Sequence, residues 1–511
     1  MARPSVLPSR DYGALGTVLQ WVIALGCGVG IATFIRWDGI FGLRQQIEQL
    51  GPYPPLVNDV PYLYTLAILM VVGIFILFFG WVLKVGSLDR PLLALMAFSL
   101  NADVIPGLFQ ISMFGFLFML ISRGMKHGDI PIHFTALVFP IILVVVSYCT
   151  TMLVVESPIG VTTKMSFRVS YLLMVLLLPC VIRTRRQFEM FIHYLIVAAL
   201  ISAGAELVQM VLSGVVGKPM TFSETSYNKV TTPYGVFPRL TGLMYHPNHQ
   251  SNLMATEAVL ALWVATRPKR LLSAGRRVFF ATAYVILVFA VFFTWSRSGW
   301  LCIGVASLAV PIVRWPRFSP VYLGILGVLG GFAYSTGLAE QVYEIVRSFN
   351  ASSADFRWHI DDIATQAFLW SPAIGVGVGG STTFYNPYQL QVHDTYLQAL
   401  SEMGLFGSAI FLLLFGMVFG RLFHVALKGR NELDRDWAWA FLFAAIVTLI
   451  QSSFAMFLWI KFLWGMVAMM ECLVLISRNQ SGVAEPDDLL VLRPMRHADP
   501  AKNIPLEPAK A

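Results

Sequence analysis

Six separate stretches of this chain, residues 14–35, 61–83, 131–155, 278–295, 299–313 and 320–337, contain no Asp, Glu, Lys or Arg. An α-helix needs about 20 apolar residues to cross roughly 30 Å of hydrocarbon, so most of these runs are long enough to span a bilayer. Further apolar runs at 167–182, 188–212, 249–266 and 404–427 carry only one or two charges each. With 57% hydrophobic and 13% charged residues over 511 positions, and a mean hydropathy of +0.69, the chain is too apolar for a soluble multidomain protein. The first run, 14–35, is longer than a signal-peptide core and has no small-residue cleavage site before Arg36. It reads as a retained span.

Two stretches are too long for one ordinary span. Residues 91–122 hold Asn101, Asp103 and Pro106 near their middle, which predicts two short helices joined by a turn. Residues 437–477 break in the same way near Gln451, Ser452 and Ser453. The expected fold class is an all-α polytopic membrane protein of about 12–14 transmembrane helices, with a large external loop before the last helices. It divides into helices with short loops over 1–337, including a loop at 213–248. A large loop at 338–403, the final helices at 404–477 and a Pro-rich, polar, disordered tail at 478–511 follow.

Charge sets the orientation. The formal net charge of +8 and pI near 9.2 come from short basic clusters between apolar runs, a pattern of membrane topology and not of nucleic-acid binding. Arg123 to Lys126, Arg183 to Arg186, Arg267 to Arg277, Arg314 with Arg317, and Lys428 to Arg435 recur at every second loop. Lys and Arg are retained in cytoplasmic loops, so all of these, together with both termini, are expected inside. The loops left outside are 36–60, 156–166, 213–248, the turn at 296–298 and the segment 338–403. The last is longer than joining two helices requires, and it is rich in Trp, Tyr, His and Gly.

Arg239, Arg297, Arg347 and Arg357 lie in external segments, against the charge rule, and binding an anion is the simplest reason for them. Arg239 precedes Tyr245-His246-Pro247-Asn248-His249, a natural helix entry with Asn248 as a possible N-cap. Arg297 sits in the tight turn Thr294-Trp295-Ser296-Arg297-Ser298-Gly299-Trp300, at the rim of the membrane. A guanidinium there, with another from a loop, suits a pyrophosphate; the alternative is a side chain that snorkels to the surface or contacts lipid headgroups. His393 precedes Asp394, which can cap the following helix, and a neutral imidazole at such an entrance can take a proton from a hydroxyl. His246, His249 and His359 compete for that role, and a structural hydrogen bond is the alternative for each.

Other motifs exclude more than they propose. Gly375, Gly377, Gly379 and Gly380 resemble a nucleotide loop only superficially, because no βαβ unit surrounds them. They are expected to let backbone approach a ligand or a neighbouring helix. Asp361-Asp362 with His359 lacks metal-site spacing, and Asp38 beside Arg36 and Trp37 reads as an interfacial anchor. Cys27, Cys149, Cys180, Cys302 and Cys472 all fall in apolar runs and offer neither a disulfide framework nor a zinc site. Asn101, Asp103, Glu206, Glu257, Lys461 and Glu471 lie within the spans without an evident pairing, and no internal repeat or inverted pair of broken helices is found.

Taken in order, Arg239-x-x-x-Leu243 before the His-Pro-Asn entry, the Thr-x-Ser-Arg-Ser turn, Arg357, Pro372-x-x-Gly-x-Gly, and His393-Asp394 followed by Gly404-x-x-Gly407 resemble the O-antigen ligase and polymerase superfamily. The resemblance runs from about Phe237 to about Leu414. It implies an inverting glycosyltransferase of the bacterial inner membrane that works on the periplasmic face without a metal or other cofactor. The implied donor is a glycan on undecaprenyl pyrophosphate, and the acceptor is lipid A–core or a growing glycan. By position, Arg239 and Arg297 would bind the pyrophosphate, with Arg357 as a third ligand, and His393 would be the catalytic base. Asn248, Asp394, Gly404 and Gly407 would support them. A ligase that moves finished polysaccharide to lipid A–core is the leading expectation. The alternative is a polymerase of O-antigen or exopolysaccharide, and a relative that glycosylates protein is a third. From another class, a polysaccharide or lipid transporter would need a polar path through the membrane.

Overall fold

A computed structural model of the chain describes residues 89–103, 108–127, 137–151, 158–216, 229–232, 235–244, 246–348, 351–377, 379–382, 392–458 and 460–479. The expected spans at 14–35 and 61–83, the loop 36–60 with Asp38, and the tail beyond residue 479 lie outside the described residues.

The described chain is an all-α membrane protein. Its helices are α1 (Asp89–Asn101), α2 (Leu108–His127), α3 (Val138–Thr151), α4 (Pro158–Val181), α5 (Arg185–Val216), α6 (Pro247–Ala265), α7 (Ala274–Phe293) and α8 (Arg297–Arg314). They continue with α9 (Ser319–Ser335), α10 (Leu338–Ser348), α11 (Ala351–Trp370), α12 (Thr395–Lys428), α13 (Glu432–Ser452) and α14 (Lys461–Asn479). A two-stranded antiparallel ribbon, β1 (Lys229–Thr232) with β2 (Gly235–Pro238), lies between α5 and α6 and pairs Val230 with Phe237.

Four helical stretches, Arg185–Val211, Ala274–Phe293, Pro316–Ser335 and Thr395–Lys428, are long and apolar enough to cross a membrane. Among the described residues, the other expected spans form helices that are shorter or more polar, and for one of them burial by neighbours is the reason. Helix α6, which carries Gln250, Ser251, Asn252, Thr256 and Glu257, packs against α5, α7, α8 and α13, and nearly all of its residues are buried. A helix surrounded by protein need not be apolar to lie at membrane depth.

The two interrupted stretches are interrupted as expected. α1 ends at Asn101 and α2 begins at Leu108; α13 ends at Ser452 and α14 begins at Lys461. Two loops differ from the sequence reading. Residues 158–166, expected as an external loop, form the first turns of α4, and the segment 338–403 is largely helical, containing α10, which carries Arg347, and α11.

Of the polar residues within the spans, Asn101, Asp103, Glu257, Lys461 and Glu471 have partners. Asn101 donates Nδ2 to Glu257 Oε1 at 2.9 Å, and Lys461 Nζ lies 2.9 Å from both Asp103 Oδ1 and the Ala102 carbonyl. Arg421 pairs with Glu471 at 2.7 Å. Unpaired charge at such depth is costly, whereas pairing holds the helices in register.

Basic residues from three of the loop clusters, Arg185, Arg267 with Arg270, and Arg314, meet the start of α13 at one end of the bundle. Asp436, at the start of α13, takes Arg267 Nε and Arg314 Nη2, each at 2.5 Å. Arg267 also lies over the Trp437 ring at 3.9 Å, and Arg314 over the Trp263 ring at 4.0 Å. Arg185 pairs with Asp434 at 2.8 Å, and Arg270 pairs with Glu432. Arg267 follows the C-terminus of α6 and Arg314 ends α8, so the N-termini of these helices point to the opposite end.

Candidate active site

At that opposite end a cavity of about 580 Å³ is lined by Arg239, Asn248, Arg297, Arg357 and His393. Four chain segments that are distant in sequence therefore bring together the three candidate anion ligands and the candidate base. Trp295, Ser296, Ser298, Trp358, Asp361 and Phe454 complete much of the wall.

Each charged group is placed by local structure. Arg239 directly follows β2, and its guanidinium donates Nε to the Thr294 carbonyl at 3.0 Å and Nη2 to Asn248 Oδ1 at 2.6 Å. The first bond ties it to the turn that carries Arg297, the second to the entry of α6. Arg297 is the first residue of α8 and is exposed, after a turn in which Trp295 has a φ of 53°. That conformation is costly for a bulky side chain, and strain of this kind collects at functional sites. Gly299 permits the turn to press on α6, because a Cβ there would overlap the Ser251 hydroxyl.

Three guanidinium groups in one cavity repel one another. Burial lowers the Arg239 pKa to about 10, with further lowering by Arg357 and Arg297. The Arg357 pKa is lowered by burial and by Arg297, against the opposing pull of Asp361. A guanidinium keeps its charge throughout the physiological pH range. Concentrated positive charge at a water-accessible cavity, unmatched by as many carboxylates among its described lining residues, is the electrostatic form of an anion site.

His393 comes immediately before Asp394, whose side chain caps α12 by accepting from the Tyr396 and Leu397 N–H groups at 2.8 and 2.9 Å. The expected cap is thus present, and it fixes His393 at the cavity wall. Burial, then Arg357, then His249 lower the His393 pKa to about 4, so its imidazole is neutral at physiological pH.

The competing histidines are separated by position. His246 is itself the N-cap of α6, accepting the Asn248 N–H on Nδ1 at 3.1 Å. This corrects the assignment of the cap to Asn248, which lies one residue inside the helix after Pro247 and uses its side chain on Arg239. Burial and neighbouring positive groups hold the His246 pKa well below its ordinary value, as a ring that accepts a backbone N–H requires. His359 is exposed on α11, and neither it nor His249 lines the cavity.

The glycine-rich segment serves packing between backbones. Gly404 adopts a φ of 64° inside α12, and a Cβ on it would lie 2.5 Å from the Ala373 carbonyl. Gly375, with a φ of 74°, faces the Glu402 carbonyl in the same way. The approach is sealed by hydrogen bonds from Val376 N to Ser401 O, from Gly377 N to Glu402 O and from Leu405 N to Pro372 O, at 2.8 to 3.1 Å. Gly407 is buried on the next turn of α12. These glycines anchor the segment after α11 to the helix behind His393.

Sequence reasoning left Asp361 unassigned except as a poor metal ligand, and it gave Trp295 and Trp358 no role. All three line the cavity. The signal for Asp361 was its spacing from Arg357, four residues on the same helix. Among the described residues no three His, Cys, Asp or Glu side chains gather as a metal-ion cage.

A search of curated proteins finds no match to the chain. The family model described as O-antigen ligase matches residues 282–412, a segment that contains Arg297, Arg357, His393, Gly404 and Gly407. Over that segment the chain is similar to the O-antigen ligase family, which supports a function of the O-antigen ligase and polymerase type.

Proposed function

We propose that the protein transfers a polysaccharide from undecaprenyl pyrophosphate to a hydroxyl of lipid A–core on the periplasmic face of the bacterial inner membrane, with inversion at the anomeric carbon. The observation that carries this reading is the convergence of Arg239, Arg297 and Arg357 with the neutral imidazole of His393 on one cavity. That cavity lies at the end of the bundle away from the basic loop clusters, which the charge rule assigns to the cytoplasm.

In this mechanism the diphosphate sits among the three guanidinium groups, whose planar forks of donors match phosphate oxygens. The acceptor hydroxyl gives its proton to His393 as its oxygen attacks the anomeric carbon from the face opposite the diphosphate. The bond from that carbon to the phosphate oxygen breaks, and its electron pair leaves with undecaprenyl pyrophosphate. The arginines stabilise the charge that grows on the leaving group, a part that a divalent cation plays in other transferases. Diphosphate in the cavity also offsets the positive charge that depresses His393, so donor binding strengthens the base.

Purified protein in detergent, given a lipid-linked glycan and lipid A–core, is expected to release undecaprenyl pyrophosphate only when both are present. Elongated lipid-linked glycan in place of glycosylated lipid A–core would assign polymerisation. Movement of the lipid-linked glycan across vesicles without release of the diphosphate would overturn the reading in favour of a transporter.

A further inference from the structure

Helix α11 sends three side chains to the cavity, Arg357, Trp358 and Asp361. The arginine fits a diphosphate, but the other two do not. A carboxylate cancels part of the positive charge that grips an anion, and an indole presents a broad apolar face with a single neutral N–H. Yet Asp361 Oδ1 is shielded from solvent and has no hydrogen-bond partner, while Trp358 is 75% exposed. A shielded carboxylate oxygen left without a donor carries a desolvation cost that a ligand hydroxyl would relieve.

An exposed indole beside a carboxylate matches the two chemistries of a pyranose. The C–H face of the sugar ring packs on the flat apolar indole, and ring hydroxyls donate to the carboxylate in short charge-assisted bonds. Resting on the transferase reading above, we propose that Trp358 and Asp361 form the acceptor-sugar subsite, with the indole carrying a pyranose ring and the carboxylate accepting its hydroxyls beside His393.

The charge around Asp361 gives this subsite a pH signature. Arg357 and Asp362 lie on its own helix, His393 and Asp394 come from the segment before α12, and Arg239 and Arg297 share the cavity. Burial and then Asp394 raise the Asp361 pKa to about 6, against the pull of Arg357. Acceptor binding is therefore strongest above pH 6 and weakens as the carboxylate protonates below it.

The test is initial-rate kinetics of the full-length protein with lipid A–core as the varied substrate. Asp361→Asn and Trp358→Ala are each expected to raise the acceptor KM about tenfold, the effect of removing one good hydrogen bond or one stacked ring. The donor KM stays within about twofold, Trp358→Phe restores most of the affinity, and Asp361→Asn removes the weakening of acceptor binding below pH 6. An unchanged acceptor KM in both variants, or equal rises in both KM values, would overturn the subsite and leave Trp358 an interfacial anchor only. A second measurement is independent of transfer: core oligosaccharide freed from lipid A by mild acid is titrated against the protein by calorimetry. Saccharide binding that the two variants lose, in a protein without transferase activity, would uphold the subsite and reject the function. Transfer by wild type with saccharide binding unaltered in both variants would do the reverse.

Discussion

Arg239 and Asn248 meet at 2.6 Å, through a side-chain bond that joins the end of the β-ribbon to the first turn of α6. The same guanidinium reaches the Thr294 carbonyl, two residues before the Ser296 that precedes α8. One cation thus ties together the two helix entries that frame the cavity. An ammonium cannot make both bonds and still face a ligand, because it lacks the planar fork. Arg239→Lys is expected to lower kcat/KM for the donor by about 10²-fold or more, as loss of a donor aimed at developing charge does. Arg297→Lys is expected to act in the same direction through the diphosphate alone. Steady-state kinetics with varied lipid-linked glycan checks both, and donor kinetics like those of wild type in either variant would remove that arginine from the site.

The candidate anion ligands were legible in the sequence because each broke the charge rule of its loop, whereas His393 stood among four competing histidines and was singled out as the candidate base by the family resemblance. What the sequence hid was proximity. Residues 239, 297, 357 and 393 belong to four segments, and no spacing rule joins them. The cap of α6 was misplaced by two residues, since His246 and Asn248 are both polar and only the geometry shows which one takes the N–H. The pairing of Asn101 with Glu257 and of Asp103 with Lys461 was hidden for the same reason, since the partners are separated by much of the chain. Within 338–403, α11 escaped notice because its faces mix Trp, His and Asp without apolar periodicity, and α10 because it is amphipathic but too short and polar for a span.

The close approach of Gly404 to the Ala373 carbonyl predicts a specific weakness. Gly404→Ala places a methyl group against backbone and forces a left-handed φ on a residue with a Cβ. The expected cost is about 1–3 kcal/mol of stability, with displacement of the segment from Pro372 to Gly377. Thermal unfolding in detergent measures it, and an unchanged midpoint would show that the helix relaxes around the substitution.

Asp436 holds two arginines and the Trp263 indole at the other end of the bundle. Asp436→Asn leaves buried cations without a counter-charge and is expected to cost about 3–5 kcal/mol. Its effect falls on folding and not on chemistry, because the residue is remote from the cavity. Unfolding midpoints should drop while kcat of the surviving folded fraction holds. A selective fall in kcat with full stability would contradict that division.

Acid should destabilise the fold through its buried histidines. His393 is lowered to about 4 and His246 well below its ordinary value, whereas both titrate near 6.5 in the unfolded chain. The unfolded chain therefore binds more protons between these values. The stability they contribute is complete above about pH 6.5 and is lost as pH falls towards 4. Unfolding midpoints at pH 7.5 and pH 5 should differ in that sense, and the difference should shrink in His393→Gln.

If guanidinium groups supply all the charge stabilisation, a strong chelator leaves transfer unchanged and added magnesium does not raise it. Loss of activity on chelation, restored by a divalent cation, would transfer that role to a metal.

The central claim is that His393 takes the acceptor proton in a cavity whose arginines hold the diphosphate. Single-turnover transfer from lipid-linked glycan to lipid A–core by His393→Ala tests it most directly. The variant is expected to bind undecaprenyl pyrophosphate as wild type does and to transfer at least about 10²-fold more slowly. Transfer at the wild-type rate would contradict the assignment of the base, and with it the mechanism.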